Sequence, residues 1–258
     1  MKIIAIIPAR MNSSRFKGKP LEKICGIPMI GHCYLRSKMC EELFDVYVAT
    51  CDVEIFDYIN SIGGNAIMTS SKHERASDRT AEAMLKIESK HNCKFEIVVM
   101  IQGDEPMLTP SMIEESFKPL IKTKEIKVTN LMAEIEDFSE FEDPNEVKVV
   151  INKRNEAIYF SREPIPSQKK YDKAIIKLKQ VCIISFQRDF LLKFNEMSQT
   201  PLEKIESIDM LRVIENDEIV KMSLTHTKTW SVDTKEDLYK VEKKMKDDEL
   251  INIYKNKL

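Results

Sequence analysis

Glu96-Ile97-Val98-Val99-Met100-Ile101-Gln102-Gly103-Asp104-Glu105-Pro106 is an apolar run that stops abruptly on two acids. Ile97 to Ile101 has the length and β-branched content of a strand buried on both faces, as strands of parallel sheets are. Gly103 permits a sharp turn, Asp104 and Glu105 put carboxylates at the strand's carboxyl edge, and Pro106 keeps the chain out of the ladder. Open α/β sheets bind ligands at that edge. Carboxylate oxygens there suit Mg²⁺, which takes one or two carboxylates plus phosphate oxygens and keeps most of its waters. In isolation the same four residues read equally well as a solvated acidic turn. The flanking sequence decides between the two.

Upstream, Ile3 to Ile7 has the same buried-strand character and opens into Pro8-Ala9-Arg10-Met11-Asn12-Ser13-Ser14-Arg15-Phe16-Lys17-Gly18-Lys19-Pro20. This loop gathers Arg10, Arg15, Lys17 and Lys19 with two hydroxyls and a glycine, a mixture suited to a polyphosphate. It is neither a Walker loop, since Pro20 follows Lys19, nor a dinucleotide-binding glycine turn. The alternative is a solvated surface loop; on either reading Lys19 is expected as an exposed loop lysine. Helix, strand and helix are expected over Pro28–Cys40, Asp45–Thr50 and Val53–Ile62, with Gly63-Gly64 as the stop. After a short strand at Ala66–Thr69, Ser77 resembles a helix start. His73, Arg75 and Arg79 would then surround a helix end favourable to anions.

Downstream, a helix over Pro110–Leu120 and a strand over Val128–Ile135 follow, and then the β/α alternation becomes irregular. Glu146–Asn152 and Ala157–Ser161 look like antiparallel strands, and the basic stretch Lys169–Lys179 is expected as an exposed excursion. Strands at Val181–Phe186 and Ile219–Leu224 bracket helices at Phe190–Phe194 and Leu202–Ile214. Asp233 ends a short apolar run, and Thr234 opens a terminal amphipathic helix. Asp233 is therefore either a residue of the helix cap or a second metal ligand meeting Asp104.

At 258 residues the chain can form one large α/β domain with a smaller lobe. Forty basic and 42 acidic residues leave a net charge of −2, so no chain-wide basic field points to nucleic acid. No apolar stretch reaches the roughly 20 residues of a membrane span. The first residues lack a signal-peptide core. The six cysteines carry no C-x-x-C pair and read as reduced thiols of a cytoplasmic protein.

Pro8-Ala9-Arg10, Arg15, Gly18-Lys19-Pro20-Leu21, His73, Asp78-Arg79, Gln102 to Pro106, Pro144-Asn145, Val147 to Val150, Tyr159 to Arg162, Pro201-Leu202-Glu203, Leu211-Arg212 and Val232-Asp233-Thr234 occur in order along nearly the whole chain. Together they closely resemble the 3-deoxy-manno-octulosonate (Kdo) cytidylyltransferases, or CMP-Kdo synthetases. The resemblance implies one Rossmann-like nucleotidyltransferase domain over 1–258, with a mixed, mainly parallel sheet flanked by helices. It also implies a smaller antiparallel acceptor-binding and dimerisation lobe at about 145–215. The implied reaction transfers CMP from CTP to the anomeric hydroxyl of an acidic keto-sugar and releases pyrophosphate, in a homodimer that uses Mg²⁺. Carried over by position, Ala9, Arg10, Arg15, Lys19, His73 and Arg79 would hold the nucleotide. Gln102 would help read cytosine, and Lys19, Asp104 and Asp233 would be catalytic, with the two aspartates on the metal.

The resemblance departs from the family pattern where the acceptor should sit. The family's His-x-Gly-Ile-Tyr places are occupied here by Gln180, Cys182 and Ile184, and its Glu-Gln-Leu-Arg by Asp209-Met210-Leu211-Arg212. Arg162, Gln180, Ile184, Glu203 and Met210 are the implied acceptor-binding positions. Loss of polar partners there points to an acceptor that is Kdo or a related sugar acid with different substituents. A nucleotide-binding regulatory or assembly protein without acceptor chemistry is the competing reading; a dehydrogenase is disfavoured by the missing glycine fingerprint.

Overall fold

The computed structural model describes residues 1–12, 16–228 and 230–255. The chain runs β1 (Ile3–Ala9), a 3₁₀ turn (Lys19–Leu21), β2 (Lys23–Ile24), β3 (Ile27–Pro28), α1 (Met29–Ser37), β4 (Asp45–Thr50), α2 (Val53–Ser61), β5 (Ala66–Met68), α3 (Ala76–His91), β6 (Ile97–Ile101) and α4 (Pro110–Lys122). It continues through β7 (Val128–Glu134), α5 (Phe138–Glu142), β8 (Lys148–Ile151), β9 (Ala157–Ser161), β10 (Leu178–Gln187), α6 (Arg188–Glu196), α7 (Pro201–Glu206), α8 (Met210–Glu215), β11 (Val220–Leu224), α9 (Lys235–Met245) and α10 (Glu249–Lys255). Two compact units result: Met1–Glu114 with Thr229–Leu258, and Glu115–Lys228.

In the first unit the strand order is β6-β1-β4-β5, and every neighbouring pair is parallel. The central strands are the apolar runs that sequence marks: all five residues of β6 are buried, and Ile4, Ala5, Ile6 and Ile7 of β1 are wholly inaccessible. Continuous apolar strands of this kind require cover on both faces, and α1, α2 and α3 pack against them. The carboxyl ends of β1, β4, β5 and β6 therefore share one edge. A second cluster, including Phe16, Ile24, Met29, Val232, Val241 and Tyr254, packs the β2–β3 hairpin against the carboxyl-terminal helices. Sequence inspection does not reveal this hairpin, because each of its strands is only two residues long.

Buried polar groups fasten α10 in the same unit. His32 Nε2 lies 2.8 Å from the Ile24 carbonyl and Nδ1 lies 2.6 Å from the Tyr254 hydroxyl. A carbonyl only accepts, so Nε2 carries the proton and Nδ1 accepts from Tyr254. Tyr254 in turn accepts from Arg36 Nε at 3.1 Å, and Arg36 pairs with Asp248 at 2.8 Å. Burial is the main reason His32 is pushed down to about 4.

In the second unit β7 pairs parallel with β11 and antiparallel with β10, while β8 joins β10 and β9 in antiparallel pairs. A bulge interrupts β10 between Val181 and Ile184. Three expectations change here and in α3. The helix expected over 202–214 is two helices, broken where Ser207 turns left-handed at φ 56°. The basic excursion ends before Lys179, which lies buried within β10 and pairs with Glu140 and Glu146. Arg75, not Ser77, precedes α3, and Ser77 is buried in the first turn. Among the described residues no helix is long and apolar enough to cross a membrane.

Candidate active site

The site grows from the carboxyl edge of the first unit. Beyond β1, the Met11 carbonyl accepts the Gly18 N–H at 3.0 Å, which returns the chain to the stem of the cationic loop. Gly18 has φ 77°, a left-handed conformation that glycine adopts without strain, and it leads directly into the 3₁₀ turn that begins at Lys19. This turn carries Lys19 inward. The sequence places Lys19 in an exposed loop; in the structure it is only 9% exposed.

The Lys19 ammonium has three donors and meets three acceptors: the Val232 carbonyl at 2.7 Å, Asp104 Oδ2 at 3.1 Å and Asp233 Oδ1 at 3.3 Å. Burial alone would lower its pKa, but the two carboxylates outweigh burial and raise it, so Lys19 is cationic at neutral pH. Asp104 and Asp233 are joined a second way, because the Val232 N–H donates to the Asp104 carbonyl at 2.9 Å. Gly103 lets this turn sit close to the strands; an added Cβ would lie 3.1 Å from Ile30 Cδ1. Behind Asp233, Thr234 and Asp237 form a capping box at the start of α9, and the Asp233 N–H also reaches Asp237.

One ammonium does not satisfy the pair. Asp104 Oδ1 is buried with no hydrogen-bond partner. Among the described residues no group of three or more His, Cys, Asp or Glu side chains is placed to hold a metal. Two carboxylates with an orphaned oxygen match an ion such as Mg²⁺, which completes its shell with water and phosphate oxygens.

The cytidylyltransferase family model matches residues 4–223, most of the chain. The chain belongs to the cytidylyltransferase family. It is therefore an enzyme, a nucleotidyltransferase. This cytidylyltransferase is 39% identical to the 3-deoxy-manno-octulosonate cytidylyltransferase of Geobacter metallireducens, over 95% of this chain and 98% of the relative. It is 40% identical to the protein of that name from Geotalea uraniireducens, over 95% and 100%. A solved CMP:2-keto-3-deoxy-manno-octonic acid synthetase complexed with CTP superposes with a TM-score of 0.85 at 36% identity, covering 95% of this chain and 99% of that one.

The other expected residues of this cytidylyltransferase fall into three groups. Ala9 closes β1 and is buried, Arg10 follows it exposed, and Gln102 follows β6 half-buried; Arg15 lies outside the described residues. His73 pairs with Glu82, whose burial would raise its carboxyl but which Lys86, the Ser70 amide and His73 hold down at about 2. Arg79 is 3% exposed, and its guanidinium bonds Thr69 Oγ1 and lies 3.5 Å from Cys51 Sγ. In the second unit Arg162 donates to the carbonyls of Glu206 and Pro144, both at 2.8 Å, and Gln180 bonds Asn130. Glu203 makes a buried ion pair with Arg212 at 2.6 Å, while Ile184 and Met210 are buried apolar residues.

Two groups beside these residues escape sequence reading, the Val232 carbonyl and Asp52, whose carboxylate accepts the Met11 N–H at 2.8 Å. The Val232 carbonyl has no signature in its side chain. Asp52 does have one: like Asp104, it is an acid just past an apolar strand, here β4.

Proposed function

We propose that this chain transfers CMP from CTP to the anomeric hydroxyl of Kdo or a closely related acidic 3-deoxy keto-sugar, with release of pyrophosphate. The likeness to Kdo cytidylyltransferases over 95% of the chain supports this reaction. The observation that carries the site assignment is the pair Asp104–Asp233 sharing the Lys19 ammonium while one carboxylate oxygen stays unsatisfied. Attack on an α-phosphate is opposed by its negative charge, so cations must offset charge on both entering and leaving oxygens. Mg²⁺ held by Asp104 and Asp233 would supply that when bound. Arg10 and Arg15 orient and neutralise the triphosphate, Lys19 adds its positive charge while its three donors hold Val232, Asp104 and Asp233, and Ala9, His73, Arg79 and Gln102 complete the nucleotide site. Nothing in this arrangement requires a covalent enzyme intermediate.

Arg162, Gln180, Ile184, Glu203 and Met210 form the acceptor half. With Gln180, Cys182 and Ile184 on β10 and Met210 opening α8, that half has fewer polar groups than the family pattern supplies. An acceptor with a hydroxyl removed, replaced or substituted fits it better than Kdo, with a preference that reaches roughly 10²-fold. The acceptor carboxylate remains required as the partner of Arg162. The working form is a cytoplasmic homodimer.

Pyrophosphate release tests the reading, using CTP, Mg²⁺ and a panel of Kdo with deoxy, amino and longer-chain keto-acid analogues. The expected result is release dependent on CTP and on the keto acid, abolished by EDTA. No release with any keto acid would sink the transfer reading. Kdo turned over best, at the efficiency usual for its relatives, would show that the β10 and α8 changes do not retune the acceptor.

A further inference from the structure

We propose that Asp52 is a positioning residue of this enzyme: its carboxylate fixes Met11, at the stem of the cationic loop, and thereby sets where the flanking Arg10 and Lys19 stand relative to the triphosphate. The proposal rests on reading that loop as the triphosphate grip. Asp52 occupies the N-cap position of α2 in an extended conformation, where an aspartate ordinarily caps the helix, yet its side chain makes no cap bond. Instead Oδ2 accepts the Met11 N–H at 2.8 Å. The carbonyl of the same Met11 takes the Gly18 N–H at 3.0 Å. Both backbone polar groups of one residue are thus tied, one to the end of β4 and one to the far side of the loop.

The tether is braced from behind. The Asp52 N–H donates to Thr50 Oγ1 at 3.1 Å, and the Cys51 thiol lies 3.7 Å from the same Asp52 oxygen. Buried Arg79 reaches Cys51 Sγ at 3.5 Å and also bonds Thr69, whose N–H is held by the Thr50 carbonyl at 2.8 Å. The ends of β4 and β5 therefore back the carboxylate. Physically the arrangement is costly on two counts. It forgoes a helix cap, and it places an anion beside a loop that must receive a polyanion. A sequence selected for stability alone would keep the cap; the second cost falls on nucleotide binding, not on the fold. A charge-assisted bond to Met11 is about twice as strong as a neutral one, which explains a carboxylate here. An error of roughly 1 Å in placing phosphate-binding groups can slow a reaction about 10²-fold, which explains the need for a tether.

Asp52→Ser separates the two roles, because serine restores the α2 cap but is too short to reach Met11. Asp52→Asn keeps an acceptor oxygen at the original reach. The measurements are amide exchange at Met11 in the ligand-free protein, the CTP dissociation constant by calorimetry, the acceptor KM at saturating CTP, and the melting temperature. For Asp52→Ser we expect Met11 exchange and the CTP dissociation constant each to rise about tenfold, at an unchanged or higher melting temperature and unchanged acceptor KM. Asp52→Asn should recover most of both losses. Unchanged Met11 exchange in Asp52→Ser would overturn the tether. Faster exchange with unchanged CTP affinity would overturn its positioning role. Failure of the wild-type protein to bind CTP would instead sink the triphosphate reading, and the exchange measurement would still decide the tether by itself.

Discussion

Each unit buries a lysine that makes three hydrogen bonds, and the acceptors differ in charge. Lys148, inaccessible in the second unit, donates to the carbonyls of Asp143 at 2.9 Å, Glu146 at 2.7 Å and Arg162. Burial lowers its pKa against the pull of nearby carboxylates. Its three acceptors are neutral main-chain groups, and all are satisfied, so the ammonium pins one loop to one strand end and leaves no unmet demand. Lys19 faces one carbonyl and two carboxylates, and a buried oxygen of Asp104 remains unmatched. Carbonyls around an ammonium make a structural fastening. A buried carboxylate oxygen left without a partner is what sets the Lys19 cluster apart from such a fastening.

The largest test of that contrast is Asp104→Asn. Removing the charge at the site should lower turnover by roughly 10²-fold or more through lost transition-state stabilisation, with Asp233→Asn behaving alike. Near-normal kcat in both variants would place Lys19 in the same structural class as Lys148. Conversely, Lys148→Met strands three carbonyls and should destabilise the fold by about 3 kcal/mol in urea titrations, with the CTP affinity of the folded protein preserved. A stable Lys148→Met protein with weakened CTP binding would reverse the assignment of roles.

Acid should distinguish the units as well. His32 has its folded pKa depressed from 6.5 to about 4, so the unfolded chain binds its proton first as pH falls. This contribution is complete above pH 6.5 and declines between 6.5 and 4, by about 3 kcal/mol in all. Tyr254 cannot donate to a protonated His32, so α10 is the expected first point of loosening. Amide exchange across the chain at pH 5 checks this: earlier protection loss in the second unit than in α10 would contradict it. The smallest expected effect is a difference in Mg²⁺ response between Lys19→Ala and wild type. Because Lys19 is buried between its partners, its loss should lower stability as well as activity. Mg²⁺ should then raise the melting temperature by a few degrees more in the variant than in wild type, since the Lys19 ammonium no longer offsets the two carboxylates. Equal or smaller stabilisation of the variant would argue that the acids hold no cation.

Much of the first unit is legible in sequence because parallel central strands must be apolar throughout. β4 and β6 match the expected bounds, and β1 runs only two residues further. The acids ending such runs are visible one at a time. Their meeting is an expectation that the family resemblance carries, while the contacts that make it, the Val232–Asp104 backbone bond and a lysine 214 positions from Asp233, have no local signature. Long-range charge also explains the misplaced lysines: composition predicts Lys19 and Lys179 exposed, and only distant carboxylates make their burial tolerable. The break after α7 is hidden for a different reason. Ser207 takes a left-handed turn that glycine or asparagine would have advertised, in the middle of a helical pattern.

The first unit is discontinuous in sequence, and this bears on how the protein emerges from the ribosome. Residues 1–114 are translated first, but Lys19 receives Val232 and Asp233, and His32 and Arg36 receive Tyr254, only near the end of synthesis. At elongation of roughly 5–20 residues per second, the nascent chain holds an unmatched lysine for on the order of ten seconds. The Lys19–Asp104–Asp233 cluster is consequently among the last parts of the molecule to be assembled, and a chain cut short before Val232 never forms it.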